Sequence, residues 1–194
     1  MHAKLFNKVL IAFPLLLMLA CSTLAPKPAP SADEIEKEEQ AVYSFFVGTK
    51  GPALILEDTA TSISEMSPQE LKQSIKSGFK SVSNETIDSY LARNAQPSQL
   101  SPDMNLEVDY TLLKADELAK ISSQPNWGEL LSQKYPGSHG YTIFSRVGFN
   151  SSLDQAVIYV GKVAGPLMGS GFYYLLEKKN GEWVIKEQNN VWIS

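Results

Sequence analysis

Four residues in the C-terminal third have the types needed for a hydrolase: Ser138, His139, Ser145 and Asp154. A serine activated by a histidine that an aspartate orients can carry out acyl transfer. The spacing does not complete that set, because no serine sits in a nucleophile elbow and no oxyanion loop is recognisable. His139 lies between Ser138 and Gly140, shortly after Pro136, a context that suits a turn. The expectation is therefore a turn histidine. Arg146 is the second candidate, the one basic residue in the stretch 141–149. Its guanidinium could grip an acidic ligand with two parallel donors, with Tyr141 and His139 as nearby ligand contacts. The competing role, favoured here, is an ion pair with Glu177 or Asp154. The run Gly165-Pro166-Leu167-Met168-Gly169-Ser170-Gly171 is dense in glycine but lacks the Gly-Lys-Ser/Thr ending of a phosphate loop. It reads as a hairpin connection with positive-φ positions. No Cys/His set suits a metal, and no cofactor is implied.

Cys21 carries a different chemistry. Lys4 and Lys8 precede an apolar run from Val9 to Ala20, and Ala20 is small, as a signal cleavage site requires. Twelve residues are too few to cross a bilayer core, which needs about 20. The stretch Leu17-Met18-Leu19-Ala20-Cys21 resembles the lipobox of bacterial lipoproteins, with Met18 where Leu, Val or Ile is usual. That resemblance implies removal of residues 1–20 and lipidation of Cys21. Two or more acyl chains, at about 0.8 kcal/mol per buried methylene, give stable anchoring. Ser22 resembles the sorting pattern for the outer membrane of Gram-negative cells. A Pro-rich tether follows over 21–32, where Ala25-Pro26-Lys27-Pro28-Ala29-Pro30 favours extended geometry.

Without residues 1–20, fifteen Lys and Arg face twenty-one Asp and Glu, a net charge near −6. Nucleic acid is disfavoured as a partner, since it needs clustered basic residues. Cys21 is the sole cysteine, so no internal disulfide forms, in keeping with an oxidising compartment. About 160 residues remain for a single domain over 33–194, enough to bury a core without staples.

Local signals predict where elements start and stop. Ser31-x-x-Glu34 and Ser67-Pro68-Gln69-Glu70 are capping boxes, and Gly48 and Gly78 close the helices they open. A further helix is expected near Asn84–Asn94, and a short one from Asn126 to before Pro136. The acidic run Asp33–Glu39 reads as a solvated helix face. Ala53–Glu57 reads as a strand, and Leu106–Leu112 alternates with period two. Tyr141–Phe149, Ala156–Val163, Gly171–Lys178 and Trp183–Ile193 are rich in β-branched and aromatic residues, and Asn180-Gly181 is a hairpin turn. In Tyr141–Phe149, Thr142, Phe144, Arg146 and Gly148 are expected on one sheet face, the intervening residues on the other. The expected fold is α+β, with N-terminal helices packed on one face of a C-terminal four-stranded antiparallel meander.

The segments Ser145–Asn150, Tyr159-Val160-Gly161, Gly169–Lys178, Gly181-Glu182-Trp183 and Trp192-Ile193-Ser194 resemble a group of uncharacterised bacterial proteins over about the last sixty residues. Some of those proteins carry cysteines before the third strand of the meander, where this chain has Gly165-Pro166-Leu167-Met168. A more distant similarity of pattern is to the NTF2-like fold, a cone of helices against a curved sheet. Together these readings point to a lipid-anchored envelope protein that binds a partner or small ligand. The alternative is an envelope hydrolase with a pocket between helices and sheet.

Overall fold

The computed structural model describes residues 28–60 and 66–194. The signal segment, Cys21 and most of the tether lie outside the described residues. Among those described are five helices and seven strands, in the order α1 (Ala32–Val47), β1 (Ala53–Leu56), α2 (Pro68–Gly78), α3 (Asn84–Arg93), β2 (Tyr110–Leu113), α4 (Ala115–Ser122), α5 (Trp127–Lys134), β3 (Tyr141–Phe144), β4 (Gly148–Phe149), β5 (Gln155–Gly165), β6 (Met168–Lys179) and β7 (Glu182–Ile193).

The local start signals act as expected. Ser31 and Ser67 each accept from the backbone N–H three residues on, and Glu34 and Glu70 reach back to the cap N–H groups. Gly48 ends α1 with a φ of 77°, donating to the carbonyl of Ser44. α4 was not anticipated: no side chain caps it, and its acidic first turn is its main local signal. The strand expected from Leu106 begins only at Tyr110. The preceding chain is diverted over α1, where Asn105 N donates to Gln40 Oε1 at 2.9 Å and Met104 N donates to the Tyr110 hydroxyl at 2.8 Å.

The sheet corrects the expected meander. It has seven strands in the order β2-β1-β3-β5-β6-β7, with β4 paired to β5 beside β3. β1 runs parallel to both β2 and β3, while β3, β4, β6 and β7 join by antiparallel pairing through β5 and β6. The sheet is mixed, open and seven-stranded, so the expected four-stranded antiparallel meander is set aside. Parallel neighbours need long crossovers, and here α2 with α3, then α4 with α5, supply them.

Helices cover both faces rather than one. Successive residues of a strand point to opposite sides. On β5, Ala156, Ile158 and Val160 meet Val42, Tyr43 and Phe46 of α1, while Val157 and Tyr159 meet Leu71 and Ile75 of α2 and Ile87 and Tyr90 of α3. Toward the β2 edge, Leu54, Leu113 and Leu131 form a third cluster under α4 and α5, on the side away from α1. β5 is accordingly buried without a break from Ala156 to Gly161, as a strand between two helical layers must be.

The expected strand 141–149 is split in two. Phe144 pairs with Val160 and Gly148 with Val157, so three residues of this chain oppose two of β5. The extra residue is a β-bulge, and it shifts the facing of everything after it. Phe144, Val147 and Phe149 all join the α1 core, against the strict alternation expected. Gly148 then lets α3 press against the sheet, because a Cβ there would fall 2.3 Å from Tyr90 N and 2.4 Å from its Cα. Backbone cannot give way as a flexible side chain can. Gly148→Ala is expected to cost at least the upper end of about 1–3 kcal/mol. An unchanged denaturation midpoint would mean that α3 is not seated on β4.

Asn180 and Gly181 both have positive φ, 54° and 89°, and close the β6–β7 hairpin as a two-residue turn. The β5–β6 hairpin is different: Gly165 faces Met168 across Pro166-Leu167, and none of Gly165, Gly169 or Gly171 has positive φ. Gly169 and Gly171 instead make room for the indole of Trp192, where a Cβ on Gly171 would meet Nε1 at 2.2 Å. β7 carries two further irregularities. Val191 and Lys186 are each left over where the β6–β7 register shifts, so this last strand is bulged twice.

Candidate functional site

The hydrolase residues are not assembled. Ser145 is completely buried inside the bulge, donating from Oγ to the carbonyl of Arg146 at 3.1 Å and accepting from Tyr159 N at 2.9 Å. Ser138 Oγ donates to the carbonyl of Tyr135. Asp154 accepts from Asn150 Nδ2 at the β4–β5 turn, and His139 is exposed on the loop between α5 and β3. Each residue is held by a local turn or strand, and none contacts another of the set in a hydrogen bond.

Arg146 lies in the bulge, not within a strand, and its carboxylate partner is neither Glu177 nor Asp154. Glu177 pairs with Lys186. Arg146 bonds Glu39 of α1 through Nε at 3.0 Å and Nη2 at 2.6 Å. Glu39 is 97% shielded from solvent (3% exposed), which corrects the reading of the acidic run as wholly solvated. The same carboxylate accepts from Val147 N at 2.8 Å and lies 2.9 Å from Arg93 Nη2 of α3. That last contact is one of charge: Arg93 Nε and Nη2 make no hydrogen bond.

Side chains take up four backbone groups of the bulge, the Ser145 and Arg146 carbonyls and the Arg146 and Val147 N–H groups. Asn94, just past α3, accepts from Arg146 N at 2.8 Å and donates from Nδ2 to the Arg146 carbonyl at 2.9 Å. The Tyr43 hydroxyl donates to the Ser145 carbonyl at 3.1 Å. Burial first, and then the Glu39 carboxylate, push the Tyr43 pKa well up, so this donor keeps its proton. The arrangement clamps α1 and α3 across the sheet edge of β4. The cleft beside it, lined by Glu36, Gln40, Tyr43 and Met104, measures about 40 Å³, room for about one water.

Tyr141 and His139 do not converge on Arg146. Tyr141 packs its ring 6.5 Å from that of Trp127, under α5. Arg146 reaches α1 and α3 instead. Sequence reasoning missed Glu39 and Asn94 as its partners and Arg93 as the second cation on Glu39; the one available signal was a glutamate on the helix stripe that also carries Val42, Tyr43 and Phe46.

The other feature of note is at the end of the sheet formed by the β5–β6 hairpin. Leu167 is 83% exposed, Ile193 73% and Met168 62%, the three most exposed large apolar residues among those described. Ser194 N donates to the Gly169 carbonyl at 3.0 Å, which sets Ile193 beside the start of β6. Beneath the hairpin a groove of about 690 Å³ runs to α5, with Pro125, Gly128, Ala164 and Gly165 among its walls. Gly128 narrows the gap, since a Cβ there would stand 3.3 Å from the Ala164 carbonyl oxygen. Among the described residues no helix is long and apolar enough to cross a membrane. No family model, curated protein or solved structure matches this chain.

Proposed function

We propose that this chain is a lipid-anchored protein of the cell envelope, held at the outer membrane where the cell has one, and that its domain is a binding module. The exposed apolar end of the sheet carries this reading. Leu167 and Met168 stand exposed side by side at the hairpin, with Ile193 exposed on the neighbouring strand, and apolar surface left in water at one end of a fold supports an interaction site. Ser145 supports it from the other side, since its hydroxyl is committed to the bulge and cannot serve as a nucleophile where it stands.

The anchor rests on Leu17–Cys21 and the apolar run before it. Cys21→Ser is expected to abolish incorporation of a fatty acid analogue and to release the chain from membranes. Equal labelling of wild type and variant would end the lipoprotein reading and leave the domain as a secreted or otherwise retained module.

A further inference from the structure

We propose that the β6–β7 turn is a modification site, where Asn180 loses its side-chain amide to water and the product formed decides whether that end of the hairpin holds. The reaction is independent of the anchor and of the binding-module reading. Its first step is intramolecular. The Gly181 backbone nitrogen, once a base takes its proton, attacks Asn180 Cγ. Ammonia leaves with the side-chain nitrogen, and a five-membered succinimide forms. Water then opens the ring at one of its two carbonyls. Breaking the bond between Cγ and the Gly181 nitrogen gives aspartate. Breaking the bond between the Asn180 carbonyl carbon and that nitrogen gives isoaspartate, in which the main chain runs through Cγ. Water supplies the oxygen that replaces the amino group, and nothing is oxidised or reduced.

Sequence and surroundings single out this asparagine. A side chain on the following residue obstructs ring closure, and of the nine asparagines only Asn180 precedes glycine. Asn180 and Gly181 are both exposed, and a Cβ built on Gly181 meets nothing within 4 Å. Among the described residues the Asn180 side chain has no hydrogen-bond partner. Closing the ring requires the backbone to leave the turn conformation for a moment, and an exposed tip with no packing of its own opens more readily than a core segment. Asn150, followed by the small Ser151, shows the contrast. Its Oδ1 accepts from Asp154 N and Gln155 N, and its Nδ2 donates to Asp154. Asn94 is buried, with its amide bonded at both ends to Arg146.

The two products differ in what they do to the turn. Aspartate followed by glycine suits the same positive-φ turn as Asn180-Gly181. Isoaspartate puts one more carbon into the main chain, so the link no longer fits the Lys179–Glu182 and Lys178–Trp183 pairs. Those pairs seat buried Trp183, and both Trp183 and Lys178 bond Glu38 of α1. An isoaspartate at the tip therefore loosens the end of the sheet that α1 is fastened to.

The test holds the purified full-length chain at mildly alkaline pH and follows its peptides by mass. The peptide containing Asn180 should gain the mass difference between a hydroxyl and an amino group severalfold faster than those containing Asn94 or Asn150. Part of that product should accept a methyl group from an isoaspartate methyltransferase. Asn180→Gly, which keeps a Gly-Gly turn, should remove both signals. Once separated, the isoaspartate form should unfold at a lower denaturant concentration and exchange its amides around Lys179 and Glu182 faster, while the aspartate form stays close to the starting protein. Conversion at Asn94 or Asn150 as fast as at Asn180 overturns the site, as does a chain that stays unconverted. An isoaspartate form as stable as the starting protein overturns the part assigned to the turn.

Discussion

Glu39→Ala should destabilise the domain by about 3–5 kcal/mol, the cost of removing one member of a buried charge cluster and stranding the others. Two guanidinium groups and the Val147 N–H converge on this carboxylate. Alanine leaves all three without it, and Arg93 already has Nε unpartnered. Glu39→Gln should cost less, because a neutral oxygen still accepts from Val147 N, although one carboxylate no longer balances two cations. Arg146→Met is expected to be milder again. Arg93 stays beside Glu39, so the carboxylate keeps one cation, and the Arg146 side chain is itself partly exposed. The order of denaturation midpoints across the three variants is the measurement. If Arg146→Met proved the most damaging, the hub would be Arg146 and the assignment to Glu39 would be wrong.

Trp183→Ala is the second large effect, also about 3–5 kcal/mol. Trp183 is buried at the start of β7, with its ring 5.7 Å from that of Phe149. Its Nε1 donates to Glu38 Oε2 at 3.0 Å, and the Lys178 ammonium, which pairs with the same carboxylate, lies 5.1 Å from the ring centroid. Truncation would open a cavity against α1 and also leave Glu38 with one partner fewer. Trp183→Phe separates the two, keeping most of the packing and losing the donor. A midpoint unchanged by Trp183→Ala would place the side chain outside the core and overturn the face assigned to β7.

What the sequence disclosed followed the range of the interactions involved. Ser31 with Glu34, Ser67 with Glu70 and the Asn180-Gly181 turn are settled within four residues, and each was readable. The parallel pairs were not. β1 and β2 are four residues each, and their pairing joins Ala53 to Tyr110 across two helices, with no local mark of direction. The one-face packing failed for a related reason, since the unbroken burial of β5 needs partners from α1 and from α2 and α3 at once. The bulge was the deepest miss. Ser145-Arg146-Val147 fits a strand well by residue type. What breaks it there comes from Asn94, 52 positions away, and Glu39, 107 positions from Arg146. The apolar hairpin end was legible in part, as a glycine-dense turn, but the purpose of its glycines was not, because Trp192 arrives from another strand.

The two bulges of β7 bear on the solubility of the protein. An edge strand of twelve residues with no proline would otherwise offer a straight row of free N–H and C=O groups on which identical chains could stack without limit. Such a row would be a template for pairing between chains. Leaving Val191 and Lys186 out of register bends that row into short pieces too brief to template a neighbour, and one of the extra residues is a lysine. The cost is a few ladder hydrogen bonds, and the return is a sheet that stops at β7.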